Sequence, residues 1–167
     1  LSSAASDVYK RQIQSHIVEF RNGESGKHVF HMDKVIQLLL DKIVQKTDKY
    51  PSLWQERILI RTASALHDIG KIGIDEAILN KPGRLTAEEF ESMKAHTTIG
   101  ADMLRNLPRY QEERLLQIAI EICRWHHERY DGKGYPDGLV GDEIPISAQL
   151  VSIADVYDAL TSERVYK

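Results

Sequence analysis

Apolar residues recur every three or four positions through most of this chain, the period of helices with one buried face. Over residues 28–46 the series Val29, Met32, Val35, Ile36, Leu39, Leu40 and Ile43 predicts one amphipathic helix. Pro51-Ser52 opens a second, carried by Trp54, Ile58, Leu59, Ile60 and Leu66 to the pair His67-Asp68. Ile72-Gly73-Ile74 leads to a short stretch around Ala77-Ile78-Leu79, and Lys81-Pro82-Gly83 reads as a turn. Thr86-Ala87-Glu88-Glu89 is a capping box, so a short helix is predicted through Phe90 and Met93 to His96. Pro108 ends that segment. Residues 111–127 form a further helix, dense in Leu115, Leu116, Ile118, Ala119, Ile122 and Trp125. In the loop that follows, Gly132, Gly134, Pro136 and Gly138 exclude a regular element. Ile144-Pro145 then enters the last helix. No stretch sustains a period of two and no repeat is present, so the expected class is all-α.

Polar residues lie on these apolar faces, and each needs a partner or a cation. His67 and Asp68 bring an imidazole and a carboxylate to one point, at the end of an inward face marked by Ile60, Ala63 and Ser64. Gly70 is expected to stop the helix there, with Lys71 in reach of any anion bound at a metal. His96 shares a side with Ile99, Gly100, Met103 and Leu107; Asp155 shares one with Ala148, Val151 and Ala159. His126-His127 closes the helix before the glycine-rich loop. Glu24 and His28, four residues apart, are outer candidates that address one point if the first helix already includes Glu24. Singly, such residues are core-edge histidines or charges complementing a helix dipole. Together, His67, Asp68, His96, His126, His127 and Asp155 are explained at once by a metal cluster. The donors exceed what one tetrahedral ion takes, so two ions about 3.5–4 Å apart, bridged by Asp68, are expected. Ligand type leaves iron, manganese, zinc, cobalt and nickel open. Such a pair suits in-line hydrolysis of a phosphoester by metal-activated hydroxide. Asp68 and Lys71 are the candidate catalytic residues, Lys71 to stabilise developing charge or help protonate the leaving group.

Composition narrows the partners. A chain of 167 residues suits one domain with a core able to hold a polar site. A net charge of −3 offers no basic field for a nucleic acid polymer or an anionic membrane surface, so a phosphate must be met locally. No apolar run is long enough to span a bilayer and no secretory signal is evident; a cytoplasmic location is expected. The single cysteine, Cys123, excludes an intrachain disulfide and fits a reducing compartment. Its apolar surroundings make it a buried bystander rather than a nucleophile. Residues 1–12 carry no period and resemble translated adaptor sequence, so the domain is expected at 13–167, as a fragment cut short at its C-terminal end.

His67-Asp68 with His96, His126-His127 and Asp155 resembles the HD superfamily of metal-dependent phosphohydrolases. The run His126-His127-Glu128-Arg129-Tyr130-Asp131-Gly132-Lys133-Gly134-Tyr135-Pro136-Asp137-Gly138-Leu139 is similar to the signature of the HD-GYP subfamily. Ile144-Pro145, Ala154-Asp155-Val156-Tyr157-Asp158-Ala159-Leu160-Thr161 and Arg164-Val165-Tyr166-Lys167 extend the likeness, which runs from about residue 19 to residue 167. The resemblance implies a compact helical HD-domain bundle with the Gly-Tyr-Pro loop beside a metal site, and a bacterial origin. It also implies hydrolysis of cyclic di-GMP to pGpG and then GMP. The alternatives are a phosphohydrolase for another cyclic nucleotide and a non-catalytic module that binds a nucleotide or a partner. By position, Glu24 and His28 match ligands that allow some members a third metal. Two or three divalent ions are therefore expected, iron or manganese ahead of zinc, cobalt or nickel. Lys71, Tyr135, Arg164 and Lys167 match residues that contact the substrate phosphates and base. Some members meet diguanylate cyclase (GGDEF) partners through the loop, and a homodimer is a further candidate assembly. His31 departs from the pattern, standing where many relatives have arginine near the outer metal.

Overall fold

The computed structural model describes residues 27–161. Glu24, Arg164, Lys167 and the adaptor-like residues 1–12 lie outside the described residues. Among the described residues seven helices follow in order: α1 (Lys27–Lys46), α2 (Leu53–Ser64), α3 (Glu76–Leu79), α4 (Ala87–Lys94), α5 (His96–Arg105), α6 (Arg114–Trp125) and α7 (Ile146–Thr161). Short 3-10 turns occupy Ile69–Gly73, Pro108–Tyr110 and Gly141–Glu143. Among the described residues there is no strand, and one isolated bridge, Asp131 to Val140, closes the glycine-rich loop. No helix of the described residues is long and apolar enough to cross a membrane.

The apolar period places the core. Met32, Ile36 and Leu40 form the buried stripe of α1, which packs on α2 and α7. α6 is central, lying against α2, α5 and α7, with Ile118, Ala119, Ile122 and Cys123 buried. A fully buried side chain the size of Ile122 contributes about 1.5–3 kcal/mol. The capping box forms as its letters predict: Thr86 Oγ1 accepts from the Glu89 amide at 3.2 Å, and Glu89 Oε2 accepts from the Thr86 amide at 2.6 Å. Such a cap is worth about 1 kcal/mol. Lys81 Nζ also donates to Glu89, tying the preceding turn to α4.

The helix ends differ from the expected ones, and the differences make the site. α2 ends at Ser64, short of His67-Asp68; α4 ends at Lys94, so that His96 begins a new helix after the break at Ala95; α6 ends at Trp125, before the histidine pair. Gly70 does not stop a helix. A Cβ there would strike the His96 carbonyl and the Gly100 amide, so the absence of a side chain lets the 3-10 turn Ile69–Gly73 lie against α5. The face of α5 is also corrected: Met103 and Leu107 are exposed, and His96 is buried alongside Thr97, Gly100, Ala101 and Leu104.

Candidate metal centre

Breaking a helix at a histidine supplies what a metal-binding imidazole needs, because the last carbonyls of a helix have no intrahelical amide partner and keep a lone pair for a side-chain donor. His67 Nδ1 donates to the Ser64 carbonyl at 2.9 Å, at the end of α2. His96 Nδ1 donates to the Met93 carbonyl at 2.7 Å, across the break before α5. At the end of α6, His126 Nδ1 meets the carbonyls of Ile122 at 2.9 Å and Cys123 at 3.2 Å. His28 Nδ1, on α1, donates instead to a side chain, Asp158 Oδ2 on α7, at 2.6 Å. These acceptors assign the proton to Nδ1 in each ring and leave Nε2 with a lone pair.

The Nε2 atoms of His67, His96 and His126 converge on Asp68. Asp68 Oδ1 lies 3.3 Å from His96 Nε2 and 3.7 Å from His126 Nε2; Oδ2 lies 3.2 Å from His67 Nε2 and 2.7 Å from Lys71 Nζ. His96 and His126 Nε2 are 3.5 Å apart, and His28 Nε2 is 3.8 Å from Asp155 Oδ1. Two groups result, Asp68 with His96, His126 and His127, and His28 with His67 and Asp155, each with ligand atoms within 4.8 Å of one another. Donors bound at roughly 2.1 Å around one tetrahedral ion stand about 3.4 Å apart, close to the 3.3–3.7 Å separations among Asp68, His96 and His126 and the 3.8 Å between His28 and Asp155. His67 Nε2 and Asp68 Oδ1 are buried and have no hydrogen-bond partner. Leaving such an atom unpaired costs about 1–3 kcal/mol, and a cation between the groups removes that cost. The residues present therefore fit divalent cations.

Electrostatics agree. Burial pushes the His96 and His126 imidazoles down, and it holds His127 at about 3, with His96 beside it adding to the effect. These rings are neutral near pH 7, the form that ligates. Burial alone would raise Asp68, but Lys71, then His67 and His96, hold its carboxyl well below the ordinary range. Burial likewise works against a charge on His67, yet Asp68 overrides it and lifts that imidazole to about 9. Asp68 thus favours positive charge at His67 Nε2, whether a proton or a cation that replaces it. Cys123 is buried, its thiol pushed up by burial, with Sγ donating to the Leu66 carbonyl at 3.0 Å.

The glycine-rich loop is tied to this corner. The Tyr135 ring lies 4.9 Å from that of His127, tilted by 31°, and the Tyr135 amide donates to the His127 carbonyl at 3.3 Å. Asp137 is clamped by Arg124 through paired bonds of 2.8 Å and by Trp125 Nε1 at 2.7 Å. The loop also folds over a buried carboxylate, Glu128, which accepts from the amides of Asp137, Gly138 and Leu139.

The structure brings together His28, His67, Asp68, His96, His126, His127 and Asp155, with Lys71 on Asp68 and Tyr135 on His127. Sequence reasoning missed Asp158 and Glu128. Asp158 follows Asp155 by three residues and so shares its helix face, a spacing that carried the signal. Glu128 had no signal beyond its place at the head of a loop whose amides need acceptors. His31, the departure from pattern, donates from Nδ1 to Asp158 Oδ1 at 3.1 Å.

The HD domain family model matches residues 13–167. A probable cyclic di-GMP phosphodiesterase of Vibrio cholerae is 41% identical over 155 residues, covering 90% of this chain and 35% of that protein. The 3'3'-cGAMP-specific phosphodiesterase 2 of the same organism is 41% identical over 153 residues, covering 92% and 27%. A cyclic di-GMP phosphodiesterase of Thermotoga maritima is 55% identical over 108 residues, covering 65% and 28%. The chain therefore spans between 27% and 35% of the length of these curated relatives.

Proposed function

Since the chain belongs to the HD domain family, we propose that it is a metal-dependent phosphodiesterase that hydrolyses cyclic di-GMP to pGpG and GMP. The observation that carries this reading is Asp68, with one oxygen turned toward each histidine–carboxylate group and a buried Oδ1 without a hydrogen-bond partner. His96, His126 and His127 would hold one divalent ion, His28, His67 and Asp155 another, and Asp68 would span the two. Iron or manganese is the first choice, and Glu24, outside the described residues, is the proposed ligand for a third ion. Bound there, paired divalent ions supply Lewis acidity toward water and toward phosphoryl oxygens.

The chain's own groups do the remainder. Lys71, its ammonium 2.7 Å from Asp68 Oδ2, is placed to offset phosphodiester charge and to give a proton to the departing oxygen. Tyr135 offers a ring beside His127 for a base to lie against. Arg164 and Lys167 are the proposed phosphate and base contacts. A diguanylate cyclase docking on the loop, where Tyr130 and Val140 are exposed, and a cytoplasmic location belong to the same reading.

A second reading has its own support: the 3'3'-cGAMP-specific relative is as similar as the first cyclic di-GMP relative, which favours a hybrid cyclic dinucleotide. Manganese-loaded and iron-loaded protein incubated separately with each dinucleotide, with products separated by chromatography, tests both. Linear product from cyclic di-GMP, lost on chelation, is expected. Product from 3'3'-cGAMP alone replaces the substrate, and no product from either, with metal bound, refutes the hydrolase.

A further inference from the structure

Asp158 lies buried on α7, one turn beyond Asp155, with its carboxylate against α1. Its two oxygens receive two imidazoles of that helix: Oδ2 takes His28 Nδ1 at 2.6 Å and Oδ1 takes His31 Nδ1 at 3.1 Å. His67, His96 and His126 are oriented by main-chain carbonyls, which no substitution removes. His28 depends on a side chain that comes from 130 residues away. Without an acceptor at Nδ1, an imidazole is free to carry its proton on Nε2 and lose the ligating lone pair.

We propose that Asp158 and His31 are positioning residues for the cation group formed by His28, His67 and Asp155. Asp158 holds His28 with Nε2 toward Asp155, and His31 steadies Asp158 from the solvent side, where its own side chain is 49% exposed. The inference rests on the metal-centre reading above. It separates the two groups, because His96 and His126 take nothing from Asp158 for their orientation.

The test is titration with Zn(II) alone, followed by calorimetry and elemental analysis, with the His28 tautomer read by nitrogen-15 NMR in chelator-treated protein. Wild type is expected to take up about two zinc ions and to show His28 protonated at Nδ1. Asp158→Asn leaves one acceptor oxygen for two imidazoles. It should weaken one of the two binding steps by about 10–100-fold, spare the other, and mix the His28 tautomers. His31→Ala, at an exposed position that does not threaten folding, should weaken the same step by less, and His31→Arg should restore it, since a guanidinium also donates to a carboxylate. Wild-type zinc binding and a single tautomer in Asp158→Asn overturn the proposal and leave the metal centre standing. Equal weakening of both steps, or a His31→Ala protein like wild type, also overturns it. A wild type that binds no zinc takes down both readings.

Discussion

Glu128→Ala removes a carboxylate that is 3% exposed and accepts three main-chain amides, Asp137 at 2.7 Å and Gly138 at 3.0 Å on Oε1, and Leu139 at 3.1 Å on Oε2. One hydrogen bond to a charged acceptor contributes about 1.5–3 kcal/mol, but amides of a loosened loop regain part of that from water. The expected loss is about 3–4 kcal/mol. At about 2–4 °C per kcal/mol for a domain of this size, Tm should fall by about 6–16 °C. Glu128→Gln keeps one carbonyl oxygen for Asp137 and Gly138 but turns an NH2 group toward the Leu139 amide, donor against donor, and should lose about half as much. Hydrogen exchange localises the effect: amides 137–139 should lose protection while α6 keeps its own. The backbone of Gly134 lies so close to Glu128 and Arg129 that no Cβ fits, so a loosened loop should also release Tyr135 from His127. An alanine variant that melts within about 2 °C of wild type, with unchanged exchange at 137–139, would refute the reasoning.

Asp68→Ala removes the carboxylate proposed to span both groups; elemental analysis should find neither ion retained and chromatography no cleavage of cyclic di-GMP, whereas wild-type metal content would sink the bridging role. Cys123→Ser keeps a donor for the Leu66 carbonyl and should leave metal content and turnover nearly intact. A turnover loss there would give the sulfur a role that its burial denies. Gly70→Ala forces the 3-10 turn away from the start of α5, costing about 1–3 kcal/mol or more, and thermal melting and metal content should fall together because His96 moves with the contact. Tyr135→Ala should raise KM for the dinucleotide while metal content stays at the wild-type level; the reverse pattern would make the ring a support for His127 alone.

What the sequence by itself determined is whatever is decided between near neighbours along the chain. The stripe Met32, Ile36, Leu40 predicts α1 because helical period is local, and Thr86 with Glu89 predicts a cap because both bonds close within four residues. The polar residues on apolar faces were equally legible, since a lone imidazole or carboxylate there is costly wherever the helix goes. Tertiary structure alone decided the rest. No proline or left-handed glycine marks the helix ends at Ser64 and Lys94; docking of the Ile69–Gly73 turn on α5 accompanies them, and Gly70 permits that docking through space it does not fill. Asp158 finds His28 across 130 residues and Glu128 gathers amides from the far side of its loop. Such pairings follow from how helices cross and loops return, which short-range periodicity and capping do not encode.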